Sequence, residues 1–241
     1  MNGFKNPLIV ALDVDTTAEA LSLAKRLAPY AGAFKIGMQL FNSAGPDCVR
    51  VLRKMGSEVF IDLKLHDIPN TVAGATRALT RHGASIINVH AAGGREMMRA
   101  AAGAAADEAA RLGLRRPLVI AVTVLTSIDQ EVFSREMGIP GEIRERVASW
   151  ALLAKDAGLD GVVASPLEIT AVRQACGPDF VIVTPGIRPS GAARGDQKRV
   201  MTPGEAVRLG ATFLVVGRPI TAVPDPAAAA AEILKEMNGG A

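Results

Sequence analysis

Charged side chains of opposite sign lie close together in residues 62–71, a segment that continues an apolar run. Asp62 and Lys64 are two residues apart on a predicted β-strand, so their side chains leave the same face of that strand. Asp67 follows just past the predicted strand end. Because opposite charges at the end of a buried strand stabilise a fold poorly, these residues predict either a structural ion pair or a device that transfers a proton.

Lys35, in another apolar run, would extend these residues into an array of alternating charges. A lysine beside two carboxylates keeps its proton, because a neighbouring negative charge favours the ammonium form. Such a lysine is a poor Schiff-base nucleophile but a suitable proton donor. Asp62 beside an anionic substrate group would raise the energy of that group until its charge left. The array therefore predicts loss of a carboxylate as carbon dioxide, with Lys64 protonating the resulting carbanion. The alternative is a girdle of ion pairs that only stabilises the fold.

The elements that must position this array recur along the chain as an Ala/Leu-rich amphipathic stretch, a glycine and a short β-branched run. The glycines stand where a helix C-cap needs a left-handed residue; they are Gly32, Gly56, Gly83, Gly113, Gly158, Gly177 and Gly210. The predicted strands are 8–14, 33–37, 58–64, 84–91, 118–125, 161–165, 180–186 and 213–217, and a last helix is predicted over 226–236. Apolar strands that alternate with helices predict a parallel sheet covered on both faces.

This number of units predicts an α/β fold, the (β/α)8 or TIM barrel. A doubly wound open sheet is the alternative, but no Gly-rich dinucleotide fingerprint follows the first strand, where residues 13–17 read Asp-Val-Asp-Thr-Thr. No linker or low-complexity segment divides the chain. Residues 1–241 are therefore predicted to form one domain.

In such a barrel the functional residues lie at the C-terminal ends of the strands, and phosphate often binds after the seventh and eighth. Gly217 and Arg218 end the eighth predicted strand, where a backbone amide and a guanidinium could hold an anion. The glycine-containing segment 188–198 carries Arg188 and Gln197 and is long enough to close over a ligand. An ordinary surface loop is the alternative interpretation of this segment. Thr126, after the fifth strand, could offer a hydroxyl to a flat heterocycle.

Composition narrows the class of ligand. The net charge is only +3 and aromatic residues make up 4% of the chain, which disfavours nucleic-acid binding and favours a small anionic ligand. Cys48 and Cys176 form neither a disulfide framework nor a metal-ligand spacing. The apolar run 8–12 is too short for a signal peptide, and no stretch is long enough to span a membrane. We therefore expect a cytoplasmic protein.

These residues resemble the orotidine 5'-phosphate decarboxylase family, specifically its bacterial form. The resemblance runs from Ala-Leu-Asp at 11–13 to Gly-Arg-Pro-Ile at 217–220. Its most specific parts are residues 62–71 and Thr-Pro-Gly-Ile-Arg-Pro at 184–189, followed by Gly-Asp-Gln at 195–197. It implies conversion of orotidine 5'-phosphate to uridine 5'-phosphate (UMP) and carbon dioxide, the last step of de novo pyrimidine synthesis, without cofactor or metal.

The resemblance also implies a role for each candidate residue. Lys64 would protonate C6 of the pyrimidine, and Asp62 would press on the departing carboxylate. Lys35 and Asp13 would hold the ribose hydroxyls and order the charge array, and Thr126 would contact the pyrimidine edge. The phosphate would be held by the residues named above after the seventh and eighth strands, namely Arg188, Gln197, Gly217 and Arg218.

Members of this family are dimers with the site at the interface. Asp67 and Thr71 would therefore reach the ribose of the ligand bound to the partner subunit. Two rivals remain open at this point: a magnesium-dependent decarboxylase or aldolase acting on sugar phosphates, and a non-catalytic nucleotide-binding barrel. The magnesium enzymes carry a glutamate ligand near the end of the second strand, where this chain has Lys35.

Overall fold

Eight parallel strands close into a barrel in chain order in the computed structural model, which describes residues 3–189 and 201–239. The first and last strands complete the ring, with Ile9 opposite Val215. The strands are β1 Leu8–Ala11, β2 Ala33–Gly37, β3 Val59–Leu65, β4 Ile86–His90, β5 Leu118–Val122, β6 Gly161–Val163, β7 Val181–Thr184 and β8 Phe213–Val216. The predicted (β/α)8 barrel is confirmed.

Ten α-helices of the described residues surround the strands. They are α1 Thr17–Leu27, α2 Met38–Ala44, α3 Asp47–Lys54, α4 Pro69–Arg81, α5 Gly94–Leu112, α6 Ile143–Asp156, α7 Ile169–Cys176, α8 Pro203–Arg208, α9 Arg218–Thr221 and α10 Pro226–Met237. Local sequence explains where several begin. Thr16 and Glu19 form a reciprocal capping box before α1, and Asp225 accepts two backbone N–H bonds at the start of α10.

One predicted glycine conformation is wrong. Six of the seven candidate C-cap glycines have positive φ angles, between 63° and 103°, as a left-handed residue requires. Gly32 does not. A Cβ atom there would lie 2.0 Å from the backbone oxygen of Asn6. Gly32 is therefore needed for the close approach of two backbone segments rather than for its φ angle.

Side chains that point into the barrel form their own small core. Its buried members come from seven of the eight strands and are Ile9, Ala33, Phe60, Ile86, Ile120, Val183 and Phe213. Because successive side chains of a strand alternate between its two faces, residues two positions further along point inward as well, but nearer the C-terminal mouth. Lys35, Asp62 and Asn88 occupy such positions on β2, β3 and β4. The alternation of side chains along each strand thus places these three polar groups directly above an apolar layer of the barrel core.

Several surface features have structural explanations. Arg111, Arg115 and Arg116 each pair with a carboxylate, of Glu108, Glu58 and Asp160 respectively.

Both cysteines are buried and free, and burial raises the pKa of each thiol. None of the helices in 3–189 and 201–239 is long and apolar enough to cross a bilayer.

Candidate active site

Lys35 lies between two carboxylates at the barrel mouth. Its Nζ is 3.2 Å from Asp13 Oδ1 and 3.4 Å from Asp62 Oδ2. Gly37, two residues further along β2, leaves room for this ammonium group, because a Cβ atom there would lie 3.0 Å from Lys35 Nζ. A side chain at position 37 would therefore crowd the Lys35 ammonium.

Asp62 stands at the centre of the array. Only 8% of this residue is exposed to solvent, and its Oδ1 accepts a hydrogen bond of 2.7 Å from Lys64 Nζ. Burial alone would raise the pKa of this carboxyl, but the charges of Lys35 and Lys64, with hydrogen bonds from Lys64 and Asn88, lower it below its ordinary value. Asp62 is thus held as an anion in a place that solvent scarcely reaches.

Lys64 has an unusual backbone conformation. It is the only non-glycine residue of the described segments with a positive φ, 52°, a conformation that costs about 1–2 kcal/mol for an L-residue. The ladder between β3 and β4 shifts register between Ile61 and Leu65, at the position of Lys64. This bulge spans both Asp62 and Lys64 and takes the Lys64 backbone out of the regular ladder. Strain of this kind persists where the surrounding structure holds it in place.

Asn88 supplies part of that support, and it was not among the residues that the sequence predicted for the site. It is 1% exposed; its Nδ2 donates to Asp62 Oδ1 at 2.7 Å, and its Oδ1 accepts from the Lys64 backbone N–H at 2.8 Å. The signal that could have found it is an amide two residues after Ile86, within a strand whose other residues before His90 are apolar.

A cavity of about 260 Å³ opens beside the array. Lys35, Asp62 and Lys64 line one side of it, and Thr126 and Ser127, which follow β5, line another. Much of the remaining wall is apolar. It comes from the later strands and from the segment that follows β5, namely Val122, Val124, Val163, Val183 and Val215. Such a cavity fits a flat ring of modest size, held with one edge against the charged groups.

A second positive region lies at the ends of β7 and β8. Burial and the nearby charge of Arg218 lower the pKa of Arg188, so the two guanidinium groups are close enough to repel each other. Arg188 also donates to the backbone oxygen of Ile187. Gly217 precedes Arg218, and a Cβ atom at Gly217 would lie 3.6 Å from Asp13 Oδ2. Two neighbouring cations at one mouth favour an anionic ligand group.

Two expected site residues, Asp67 and Thr71, are not part of this cluster. Asp67 and Thr71 are exposed, and Asp67 Oδ1 accepts from the next backbone N–H, that of Ile68. Within the described part of the chain, the array consists of Asp13, Lys35, Asp62 and Lys64 without Asp67. Gln197 lies outside the described residues.

The rings of His66 and His90 lie beside the array, with their centroids 5.4 Å apart and their planes tilted by 40°. Burial is the main reason that the pKa of His90 is lowered, and the charges of His66 and Lys64 add to it while Asp62 opposes it. The His90 imidazole is therefore favoured in its neutral form next to the Lys64 ammonium.

Comparison with known proteins places this geometry in a family. Residues 6–233 match the family model described as "Orotidine 5'-phosphate decarboxylase / HUMPS family". The chain belongs to this family. The orotidine 5'-phosphate decarboxylase of Moorella thermoacetica is 61% identical over 97% of this chain and 93% of its own length. That of Syntrophomonas wolfei is 54% identical over 96% and 97%. The resemblance seen in the sequence is confirmed.

A solved structure agrees with the sequence relatives. The crystal structure of orotidine 5'-phosphate decarboxylase from Lactobacillus acidophilus has a TM-score of 0.86 and 40% identity, and covers 97% of this chain and all of its own. The family match therefore extends over the barrel, the charge array and the ends of β7 and β8 together.

Proposed function

We propose that this chain decarboxylates orotidine 5'-phosphate to UMP and carbon dioxide, as the last step of pyrimidine nucleotide synthesis. The observation that carries the proposal is the contact of 2.7 Å between Lys64 Nζ and Asp62 Oδ1 at the wall of the cavity. It puts a proton donor and a fixed negative charge where one edge of a pyrimidine would lie. Family membership supports the same reaction.

Asp62 and Lys64 divide the reaction between them. The substrate carboxylate lies against the Asp62 carboxylate, and their repulsion is relieved as the bond between C6 and the carboxyl carbon breaks. The electron pair of that bond stays on C6, and carbon dioxide leaves. Lys64 then gives a proton to C6 and later regains one from water. The low pKa of Asp62 keeps its charge in place throughout.

The remaining residues hold parts of the nucleotide that do not react. Asp13 and Lys35 bind the ribose hydroxyls, and Thr126 contacts the pyrimidine edge. Arg218 and the Gly217 amide bind the phosphate, and Arg188 and Gln197 contribute further contacts to it. Binding energy from this remote group is used to desolvate and orient the reacting ring. No cofactor or metal takes part in the proposed mechanism.

A second copy of the chain completes each site. Asp67 and Thr71 are exposed beside Ile68, whose side chain is 66% exposed. A large exposed apolar side chain between two polar residues of a predicted site suits an interface. In the homodimer that we propose, Asp67 and Thr71 reach the ribose of the ligand bound by the partner.

The rival magnesium chemistry is disfavoured by Lys35. Its ammonium group already lies within 3.4 Å of the Asp13 and Asp62 carboxylates, which a divalent cation would need as ligands. A metal there would be repelled by this charge. A binding-only barrel is disfavoured by Asp62, because an anion fixed beside a substrate carboxylate weakens binding unless the reaction uses it.

The decisive experiment mixes the purified protein with orotidine 5'-phosphate in excess EDTA and follows the ultraviolet change as orotate becomes uracil. We expect rapid turnover by the wild type and none by Lys64→Ala. Lys25→Ala, which changes an exposed lysine of α1, is the matched control and keeps full activity. Wild-type protein that is inactive with and without added magnesium would contradict the proposal, and an active Lys64→Ala protein would contradict the role of Lys64.

A further inference from the structure

Asn88 is a polar side chain inside an apolar barrel, and both of its polar atoms bond to the charge array. It is 1% exposed and lies on the inward face of β4 next to Ile86, a member of the barrel core. A buried amide is costly unless its donors and acceptor are satisfied. Here Nδ2 donates to Asp62 and Oδ1 accepts from the Lys64 backbone.

The chemistry of its partners fixes the orientation of the Asn88 amide. An ionised carboxylate only accepts hydrogen bonds and a backbone N–H only donates one. Nδ2 must therefore face Asp62 and Oδ1 must face Lys64, as observed at 2.7 and 2.8 Å. The rotated amide would put oxygen against oxygen and N–H against N–H, so only one orientation is stable.

We propose that Asn88 is a positioning residue that sets the distance and direction between Asp62 and Lys64; this inference rests on the proposed function. Through Nδ2 it fixes the Asp62 carboxylate, and through Oδ1 it holds the backbone of Lys64 in its left-handed conformation at φ 52°. One rigid side chain on β4 thereby holds both reacting residues of β3 across the bulge. Asn88 is not among the residues that line the cavity.

If Asn88 had a purely structural role, its replacement would lower stability without affecting turnover. Ser85 is the control that distinguishes this role from the positioning role. Ser85 lies at the opposite end of the same strand pair, is 4% exposed, and its Oγ accepts the backbone N–H of Val59 on β3 at 3.1 Å. Like Asn88 it is a buried polar side chain that bonds to a β3 N–H, but it is far from the mouth. Loss of either costs stability, whereas only Asn88 is expected to affect turnover.

The test compares Asn88→Leu, Asn88→Asp and Ser85→Ala with the wild type. The leucine variant is close in size and suits an apolar barrel, but it lacks both hydrogen bonds. The aspartate variant keeps the shape and the acceptor for the Lys64 N–H, but it puts a second carboxyl beside Asp62, so that the two carboxyls share a proton and Asp62 no longer holds a full negative charge. For each folded protein we measure kcat with orotidine 5'-phosphate and the dissociation constant of UMP, which lacks the reacting carboxylate. Circular dichroism and thermal melting report folding.

For both Asn88 variants we expect kcat to fall by about 10²-fold, as misplaced catalytic groups typically cause, with UMP affinity unchanged. Ser85→Ala should melt earlier and keep the wild-type kcat. Wild-type turnover by either folded Asn88 variant, or an equal loss of kcat and UMP affinity, would overturn the inference. Failure of the proposed function is recognised separately, since the wild type itself would then not decarboxylate the substrate.

Discussion

Lys35 Nζ on β2 lies 3.4 Å from Asp62 Oδ2 on β3. In the register of these neighbouring strands Lys35 is opposite Phe60 and Gly37 is opposite Asp62, so the long Lys35 side chain extends past Gly37 to reach Asp62. The pair is therefore built into the sheet and does not depend on a flexible loop. It also helps to keep Asp62 ionised, which the proposed mechanism requires.

The first prediction concerns stability against pH. Replacing Asp62 by asparagine leaves Lys35 and Lys64 without their shared anion, and should lower the free energy of unfolding at neutral pH by about 2 kcal/mol. Because the folded-state pKa of Asp62 is lowered from 3.8, its stabilising contribution is complete above the unfolded-state pKa and is lost as pH falls through the folded-state pKa.

Urea unfolding of the wild type and Asp62→Asn, followed from neutral pH down to about pH 3, checks this prediction. The difference in unfolding free energy between the two proteins should narrow steadily at the acid end. Other carboxylates titrate in both proteins and cancel in the difference. A difference in unfolding free energy that stays constant with pH would mean that the neighbours of Asp62 do not lower its pKa in the folded protein.

The second prediction concerns the phosphate. Arg218→Ala should lower kcat/KM for orotidine 5'-phosphate by about 10²-fold, the effect of losing a charge-assisted contact. Arg208→Ala, an exposed arginine at the end of α8, is the matched control and should change little. With orotidine, which has no phosphate, wild type and Arg218→Ala should be equally poor enzymes. If Arg218→Ala slowed both substrates alike, Arg218 would not be a phosphate ligand.

The third prediction concerns Gly37. Its φ of −89° suits any residue, so alanine there strains no backbone. The new methyl group would instead lie 3.0 Å from Lys35 Nζ and 3.4 Å from Asp13 Oδ1, so this ion pair would have to shift by a few tenths of an ångström. We expect Gly37→Ala to melt near the wild-type temperature but to lose activity, as thermal melting and the ultraviolet assay would show.

Gly103→Ala is the control for this change. Gly103 lies in α5 with nothing within 4 Å of an added Cβ, so alanine should stabilise the helix by about 0.5–1 kcal/mol and leave turnover unchanged. Wild-type activity in Gly37→Ala would show that Lys35 tolerates displacement.

The fourth prediction tests the shared site. Lys64→Ala and Asp67→Ala should each be inactive, since each lacks one part of every site. When the two proteins are mixed and allowed to exchange subunits, half of the dimers are mixed, and each has one intact site. Activity should recover to about a quarter of the wild-type value. A mixture that stays inactive after demonstrated exchange would contradict the contribution of Asp67 across the interface.

Much of the site was predictable because strand patterns in a parallel barrel are regular. Apolar runs with glycine boundaries predicted the eight strands. Lys35, Asp62 and Lys64 lie together at the mouth, as the period of two predicts, and Asp13 joins them just after the end of β1. Strand ends were less accurate. The run 118–125 stops as a strand at Val122, because the chain leaves the ladder where it begins to line the cavity.

Other features depend on contacts between distant residues, which a local pattern does not contain. The left-handed backbone of Lys64 needs the bulge and the Asn88 acceptor on the next strand. Gly32 is required by Asn6, far away along the chain. In each case the cause is a second segment that the residue meets only after folding.

Closure of the ring by β1 and β8 has a consequence for synthesis of the chain. The strand made first pairs on one side with the strand made last. While a ribosome is still translating, one edge of β1 exposes unpaired N–H and C=O groups that could bind another chain. A nascent chain whose synthesis stops before β8 should therefore aggregate or bind chaperones. Once the full-length chain is released, β8 can pair with β1 and close the barrel.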